Sequence, residues 1–132
     1  MLTQSPKPKT QNRDADPKAD LRTRCLEFSL RVLRYVGGLP DSNVYRVLTG
    51  QLLRSSTSIG ANMFEARGAG SKKDFIHCYE IALKSANETS YWLLLMSGLS
   101  TKERGEIDAL VRETRELMKM IAASIVTMKG NL

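Results

Sequence analysis

The sequence predicts an all-α fold: an antiparallel up-down-up-down four-helix bundle preceded by a disordered N-terminal tail. Two observations support this prediction. No proline follows Pro40, and glycines cluster at Gly37-Gly38, at 68–70 and at Gly98, which divides the chain into four long segments. Within each segment apolar residues recur every three or four positions, which is the spacing of a helix with one buried face. Since the turns between the segments are short, consecutive helices must run antiparallel.

Residues 1–19 are predicted to be the disordered tail, and residues 20–130 the bundle domain. Three of the four prolines lie in the tail among lysine, aspartate and other polar residues, a composition that cannot form a core. The charges of the tail nearly cancel, so it is a weak candidate for binding nucleic acid. The remaining chain is long enough to bury one core without disulfides or metal ions.

Helix one is predicted to begin after Asp20, a good N-cap residue. Its inward stripe consists of apolar residues at spacings of three and four: Leu21, Cys25, Phe28, Val32 and Val36. A second apolar stripe, formed by Leu26, Leu30 and Leu33, runs beside the first. The narrow face that remains is basic, with one glutamate against four arginines: Arg22, Arg24, Arg31 and Arg34.

Helix two follows a turn at residues 37–42 and has four inward residues: Leu48, Leu52, Ile59 and Met63. Arg54, Ser58 and Glu65 are predicted to face outward. Small residues occupy positions where leucine would be expected on helices two and three: Ser55, Ser56, Gly60, Ala82, Ser85 and Ala86. Small side chains let two backbones approach closely, so tight packing of helix two against helix three is predicted, and this explanation is favoured over a ligand site.

Helix three is predicted to begin at Ser71, whose spacing to Asp74 matches a capping box. Its inward residues are Phe75, Cys78, Tyr79, Ala82, Ala86, Thr89, Leu93 and Met96. Helix four is predicted to open with a second box, formed by Ser100 and Glu103. It continues with intervals that alternate between four and three, the pattern of an a/d heptad seam: Ile107, Val111, Thr114, Met118, Ile121, Ile125 and Met128.

Composition favours a basic cytoplasmic protein. The formal net charge is +6, which makes an anionic partner such as nucleic acid plausible. Both cysteines, Cys25 and Cys78, lie among apolar helical residues, as reduced core thiols do. The longest apolar run, residues 91–96, is far shorter than the roughly 18 residues of a membrane span, and residues 1–20 lack the apolar stretch of a signal peptide.

No enzymatic pattern is found, so the prediction is a protein without catalytic residues, cofactor or metal ion. His77 is the only histidine and is predicted to be exposed, whereas a histidine-rich metal site or a catalytic triad needs further partners. The glycine-rich stretch at residues 68–73 lacks the spacing of a phosphate-binding loop and follows a helix rather than a strand.

Two basic clusters are the candidate nucleic-acid-binding residues. One is the turn before helix three, where Arg67, Lys72 and Lys73 lie near the free N–H groups of a helix start; a solvated turn explains the same residues. The other is the arginine face of helix one. If an oligomer repeats these clusters by symmetry, binding through phosphates is expected, with little base preference. If neither cluster contributes to binding, the next candidates are the helix-four residues Arg112, Arg115 and Lys119.

Surplus apolar residues predict self-association. Ile81, Trp92 and Leu95 of helix three lie outside its inward stripe, and helix one carries its second leucine stripe. One four-helix bundle cannot bury all of these residues, and contiguous exposed apolar area is typical of a partner surface. Trp92 is therefore a candidate interface residue.

The block from Gln51 to Glu88 carries a series of spaced residues: Gln51, Leu52, Arg54, Ser58, Ile59, Asn62, Met63, Glu65, Ser71, Asp74, Phe75, Ile81, Ala82, Ser85 and Glu88. In this series the sequence resembles a family of bacterial four-helix bundle proteins that includes those encoded in intervening sequences of 23S ribosomal RNA genes. It is similar, more distantly, to the accessory variability determinant proteins of diversity-generating retroelements. The resemblance covers about residues 21–128.

The resemblance implies a non-enzymatic homopentamer, in which five bundles form a barrel with a basic surface that binds nucleic acid. In the accessory branch it also implies binding to a reverse transcriptase. The polar motif residues are implied to be buried or interfacial contacts: Arg54, Asn62, Glu65 and Glu88. Ala66 and Lys84 stand where the family commonly has glycine, and Lys84 is expected to loosen close packing. A pure protein-interaction scaffold, with incidental basic charge, is the alternative function.

Overall fold

The computed structural model describes residues 17–100 and 104–130, which form four helices. Helix α1 spans Pro17–Gly37, α2 spans Asn43–Ala66, α3 spans Lys72–Leu99 and α4 spans Gly105–Gly130. The described part of the chain contains no strand, so the all-α prediction is confirmed. The predicted disorder of residues 1–16 lies outside the described residues.

The predicted start of helix one is wrong by four residues, because α1 begins at Pro17 rather than after Asp20. Residues 17–19 therefore belong to a helix and not to the tail. Proline is favoured in the first turn of a helix, where its missing N–H would have no partner and its fixed φ suits the helix. The proline that was assigned to the tail thus starts α1.

The four helices form a closed ring in chain order. Helix α2 packs between α1 and α3, and α4 packs between α3 and α1. Each connection is short, so consecutive helices reverse direction and the bundle is antiparallel, as predicted. None of the described helices combines the length and hydropathy needed to cross a membrane.

Serine side chains begin two of the helices. Ser71 Oγ accepts a hydrogen bond from the Asp74 N–H at 3.1 Å, as its spacing predicted. Ser42 caps α2 in the same way, accepting from the Tyr45 N–H at 3.2 Å. The predicted second capping box falls partly on residues 101–103, outside the described residues. Ser100 instead ends α3, donating its N–H to the Met96 carbonyl at 3.1 Å.

The core follows the predicted stripes, with additions. Fully buried side chains come from every helix and include Phe28, Leu52, Tyr79 and Ile121. The predicted inward residues that are only partly buried pack against this core: Val36, Leu48, Phe75, Cys78 and Met118. The buried residues that were missed include Ile76, Leu110 and Leu117. Each flanks a predicted stripe, because the apolar face of a bundle helix is wider than one line of residues.

The small residues of α2 divide between two neighbours. Ser55 and Ser58 face α3, where their Oγ atoms lie 2.9 Å from Thr89 Oγ1 and from Ser85 Oγ respectively. Gly60 faces α1 instead, and a Cβ atom there would lie 3.5 Å from Ser29 Oγ. The prediction of close α2–α3 packing thus holds for Ser55 and is wrong for Gly60. The outward placement predicted for Ser58 is also wrong, because Ser58 contacts Ser85 of α3.

Candidate functional site

Arg24, a residue of the predicted basic face of α1, forms an ion pair with α4. Its Nε and Nη2 atoms donate to the two carboxylate oxygens of Glu113, each at 2.7 Å. Its Nη1 lies 3.1 Å from Met120 Sδ. The hydrogen bonds to Glu113 are the main reason that the pKa of Arg24 is raised above its ordinary value. Arg24 is therefore held by this chain's own carboxylate.

The remaining arginines of α1 are placed differently from one another. Arg31 pairs with Glu106 of α4 at 3.3 Å, and Arg22 also has an interaction partner. Arg34 is exposed and forms no ion pair with any described residue. The four arginines do not form one uniform cationic surface, and their role in binding nucleic acid stays a prediction.

The turn between α2 and α3 does expose its cations. Arg67, Lys72 and Lys73 are all exposed, although Lys72 also has an interaction partner within the chain. Lys73 borders an open cavity of about 630 Å³, whose other lining residues are Asp74, Ile76, His77, Glu80 and Lys129. His77 is exposed, as predicted, and the charged residues that line this cavity are two lysines and two carboxylates.

The polar motif residues lie on the outer side of the α2–α3 pair. Arg54 Nη2 donates to Glu88 Oε1 at 2.6 Å, and the two side chains are 58% and 39% exposed. Asn62 Nδ2 donates to the Ser58 carbonyl at 2.8 Å, and Glu65 is exposed. Within one bundle, the burial of Arg54 and Glu65 that the resemblance implied is therefore wrong, and both face outward as their spacing predicted. Their placement at a subunit interface stays a prediction.

Apolar side chains remain exposed on two separate faces. The leucine stripe of α1 is exposed, as predicted, and Phe64 of α2 is exposed as well. The second face has residues of α2 and α3 that are also exposed: Val44, Val47, Leu95 and Leu99. Ile81 and Trp92 are half-buried, and the Trp92 ring packs edge-on against Tyr91. The Trp92 Nε1 atom is buried without a hydrogen-bond partner among the described residues.

The groove between α3 and α4 carries cations that the sequence reasoning did not propose as a primary site. Lys84, Arg112 and Arg115 are exposed, and none has an acidic side chain within ion-pair distance among residues 17–100 and 104–130. Lys84 is exposed within one bundle, and the expectation that it loosens packing between subunits stays a prediction. Arg112, Arg115 and Lys119 were predicted as secondary candidates, and their spacing by three and four residues places them on one side of α4. Lys84 was not predicted as a binding residue.

Neither cysteine is suited to nucleophilic chemistry. Burial, assisted by the negative charge of Glu113, raises the pKa of the Cys25 thiol to about 12. Burial also raises the pKa of Cys78, which is half-buried. In the described part of the chain, no group of three histidine, cysteine, aspartate or glutamate side chains could hold a metal ion.

Comparisons with known proteins agree with this architecture. The model of a family described as 23S rRNA-intervening sequence protein matches residues 18–123. A crystal structure of a protein of unknown function from the S23 ribosomal protein family of Bacteroides thetaiotaomicron VPI-5482 is 36% identical in sequence. That match covers 82% of this chain and 96% of the other, with a TM-score of 0.73. No curated protein matches the sequence.

Proposed function

The chain belongs to the 23S rRNA-intervening sequence protein family, and from this premise we propose that it is a non-enzymatic homo-oligomer that binds nucleic acid. The proposed assembly is a pentameric barrel of bundles in the cytoplasm, and the proposed contacts are to phosphates. The observation that carries the proposal is the excess of exposed cations over the carboxylates that pair with them, in a chain of net charge +6.

Self-association is supported by the two apolar faces. They lie on different sides of the bundle, one along α1 and the other on α2 and α3, so a face of one subunit can cover a different face of the next. Contacts of this head-to-tail kind close into rings when the rotation between subunits allows it. Fully burying a leucine contributes about 1.5–3 kcal/mol, and covering the half-exposed leucines of the α1 stripe would contribute about half of that each. The α1 stripe is therefore the main candidate interface.

Light scattering tests the assembly. The expected mass is several times the 14.7 kDa of one chain, and a pentamer is the specific expectation. Leu30→Lys, in the stripe, is expected to reduce the mass. The matched control is Val126→Lys, which changes an exposed valine of α4 outside both faces and is expected to leave the mass unchanged. If the parent protein is monomeric at micromolar concentration, the proposed ring is refuted.

Filter binding tests the nucleic-acid role. Duplex and single-stranded RNA and DNA are compared at low and near-physiological salt. Because the proposed contacts are to phosphates, affinity is expected to fall steeply with salt and to depend little on sequence. A parent protein that binds no nucleic acid at low salt would refute the proposal.

The second candidate function is a protein-interaction scaffold, and the exposed apolar faces favour it. It predicts assembly without nucleic-acid binding, so the two measurements together distinguish the functions.

A reverse transcriptase stays a proposed partner that follows from the family resemblance alone. Co-purification with the product of a neighbouring reverse transcriptase gene, where one exists, tests that partner.

A further inference from the structure

One line of α4 residues borders the groove between α3 and α4. At 100° per residue, Asp108, Arg112, Arg115 and Lys119 fall within about 60° of one another around the helix axis. Asp108 fixes the direction of this line, because its Oδ1 accepts a hydrogen bond from Ser97 Oγ of α3 at 3.1 Å. The three cations therefore lie on the outer surface of α4, along the edge that borders α3.

A line on α3 borders the same groove from the other side. By the same helical spacing, one face of α3 carries the four residues of this line: Lys73, Glu80, Lys84 and Tyr91. Glu80 fixes its direction, since its Oε2 accepts a hydrogen bond from Lys129 Nζ of α4 at 3.2 Å. By the same spacing Lys84 lies one helical turn from Glu80, exposed on the outer edge of the groove that Arg112, Arg115 and Lys119 border.

Few carboxylates neutralise these cations. Lys129 pairs with Glu80, and Lys119 lies 3.5 Å from Glu116. Lys84, Arg112 and Arg115 have no ionic partner among the described residues. Self-repulsion of like charges in such a row costs stability, and an anionic ligand would relieve it.

We propose that the nucleic acid lies along the α3–α4 groove, with Lys84, Arg112 and Arg115 as its principal phosphate contacts. This inference rests on the proposed nucleic-acid function and assigns that function to a surface other than α1. The row from Arg112 to Lys129 is about 25 Å long at 1.5 Å per residue. One strand of a duplex places a phosphate about every 3.4 Å of its axis, so the row reaches several phosphates.

The groove favours phosphate backbone over unpaired bases. Tyr91 is the exposed aromatic side chain on the α3 line, whereas single-strand platforms stack successive bases on several aromatic rings. Duplex RNA or DNA is therefore expected to bind at least as tightly as a single strand of the same length.

The test compares two triple variants that each remove three positive charges. The groove variant carries Lys84→Ala, Arg112→Ala and Arg115→Ala. The matched variant carries Arg31→Ala, Arg34→Ala and Arg46→Ala, which lie at α1 and at the start of α2. Binding of a short RNA duplex is measured by fluorescence anisotropy over a series of salt concentrations. Light scattering and circular dichroism of each variant check assembly and folding.

The groove variant is expected to lose at least about tenfold in affinity at low salt, and its slope of log affinity against log salt should fall by roughly 2–3. The matched variant is expected to lose less and to keep the parent slope. A third variant, the lysine variant, keeps the native Lys84 and carries Arg112→Lys and Arg115→Lys. It should bind nearly as tightly as the parent protein, since a phosphate contact needs the charge.

Three results would overturn the inference. Equal losses in both variants would indicate a response to total charge, and a larger loss in the matched variant would assign the ligand to α1. If the lysine variant folds but does not bind the duplex, positive charge in the groove does not determine the affinity. A parent protein that binds no duplex refutes the proposed function together with this inference, whereas binding by an unaffected groove variant refutes the inference alone.

Discussion

The two grooves that flank α4 use charge in different ways. On the α1 side, Arg24 and Arg31 each meet a glutamate of α4, at 2.7 Å and 3.3 Å. On the α3 side, Arg112 and Arg115 meet no carboxylate among the described residues. Both grooves are rich in arginine, yet on the α1 side two arginines form ion pairs between helices, whereas on the α3 side only Lys129 does, with Glu80 at 3.2 Å, among the described residues. Arg112 and Arg115 remain available. Net charge alone does not distinguish these cases.

The pairs on the α1 side also differ from each other. The Glu113 side chain is 17% exposed and both its oxygens bind Arg24, whereas Glu106 is 51% exposed and binds Arg31 at the longer distance. Charge-assisted bidentate pairs are stronger than single exposed pairs. The comparison therefore predicts separate effects: changes on the α1 side should lower stability, and changes on the α3 side should lower binding.

The largest effect on stability is expected from Glu113→Ala. This change leaves Arg24 without both of its carboxylate contacts, so the free energy of unfolding should fall by about 1–3 kcal/mol. Urea denaturation measures the loss. The control is Glu106→Ala, whose exposed pair should contribute no more than about 0.5 kcal/mol. Equal losses in the two variants would contradict the difference drawn between the pairs.

An alkaline loss of stability is expected next, from the Cys25 thiol on the inner face of α1. Its pKa is raised from 9.0 to about 12 in the folded protein, so the folded chain keeps this proton longer than the unfolded chain does. The contribution is fully present below pH 9 and is lost as pH rises from 9 towards 12. Melting temperatures of the parent and of Cys25→Ala across this range measure it. Parallel pH profiles would show that Cys25 does not contribute.

Arg54→Ala should have a smaller effect than Glu113→Ala. The Arg54–Glu88 pair is short but exposed, so within one bundle its loss should cost at most about 1 kcal/mol. A larger loss of stability, accompanied by a lower mass in light scattering, would indicate that Arg54 lies at a subunit interface. The matched comparison is Glu65→Ala. Glu65 is exposed and forms no ion pair with the described residues.

The smallest effect on stability is expected from the double change Arg112→Ala and Arg115→Ala. Neither arginine has an ionic partner to lose, so the free energy of unfolding should stay within about 0.5 kcal/mol of the parent value or rise slightly. Urea denaturation without nucleic acid measures it. A loss as large as that of Glu113→Ala would mean that the α3–α4 groove also depends on its cations for packing.

Local patterns in the sequence were sufficient to predict the bundle. Apolar spacing of three and four identified each helix, and the serine at position 71 marked the start of α3. Patterns along one helix do not show how wide its buried face becomes, which is why Leu110 and Leu117 were missed. They also do not show which neighbour a small residue faces, which is why Gly60 was placed against α3 instead of α1.

The candidate site was harder to predict for a related reason. The basic face of α1 was visible in its own sequence, but the carboxylates that pair with it lie on α4, 75 and 89 positions away. Pairing across the bundle depends on helix rotation and register, which packing sets. The same limitation explains why the cations of α4 were only secondary candidates and Lys84 was not grouped with them, because these residues come from different helices.

Lysine footprinting tests the central claim, that the unpaired cations of the α3–α4 groove hold the phosphates of a nucleic acid. The assembled protein is acetylated with and without a saturating RNA duplex, and the reactivity of each lysine is read by mass spectrometry. The account predicts strong protection of Lys84 and Lys119. Unchanged reactivity of both lysines while the duplex is bound would contradict it.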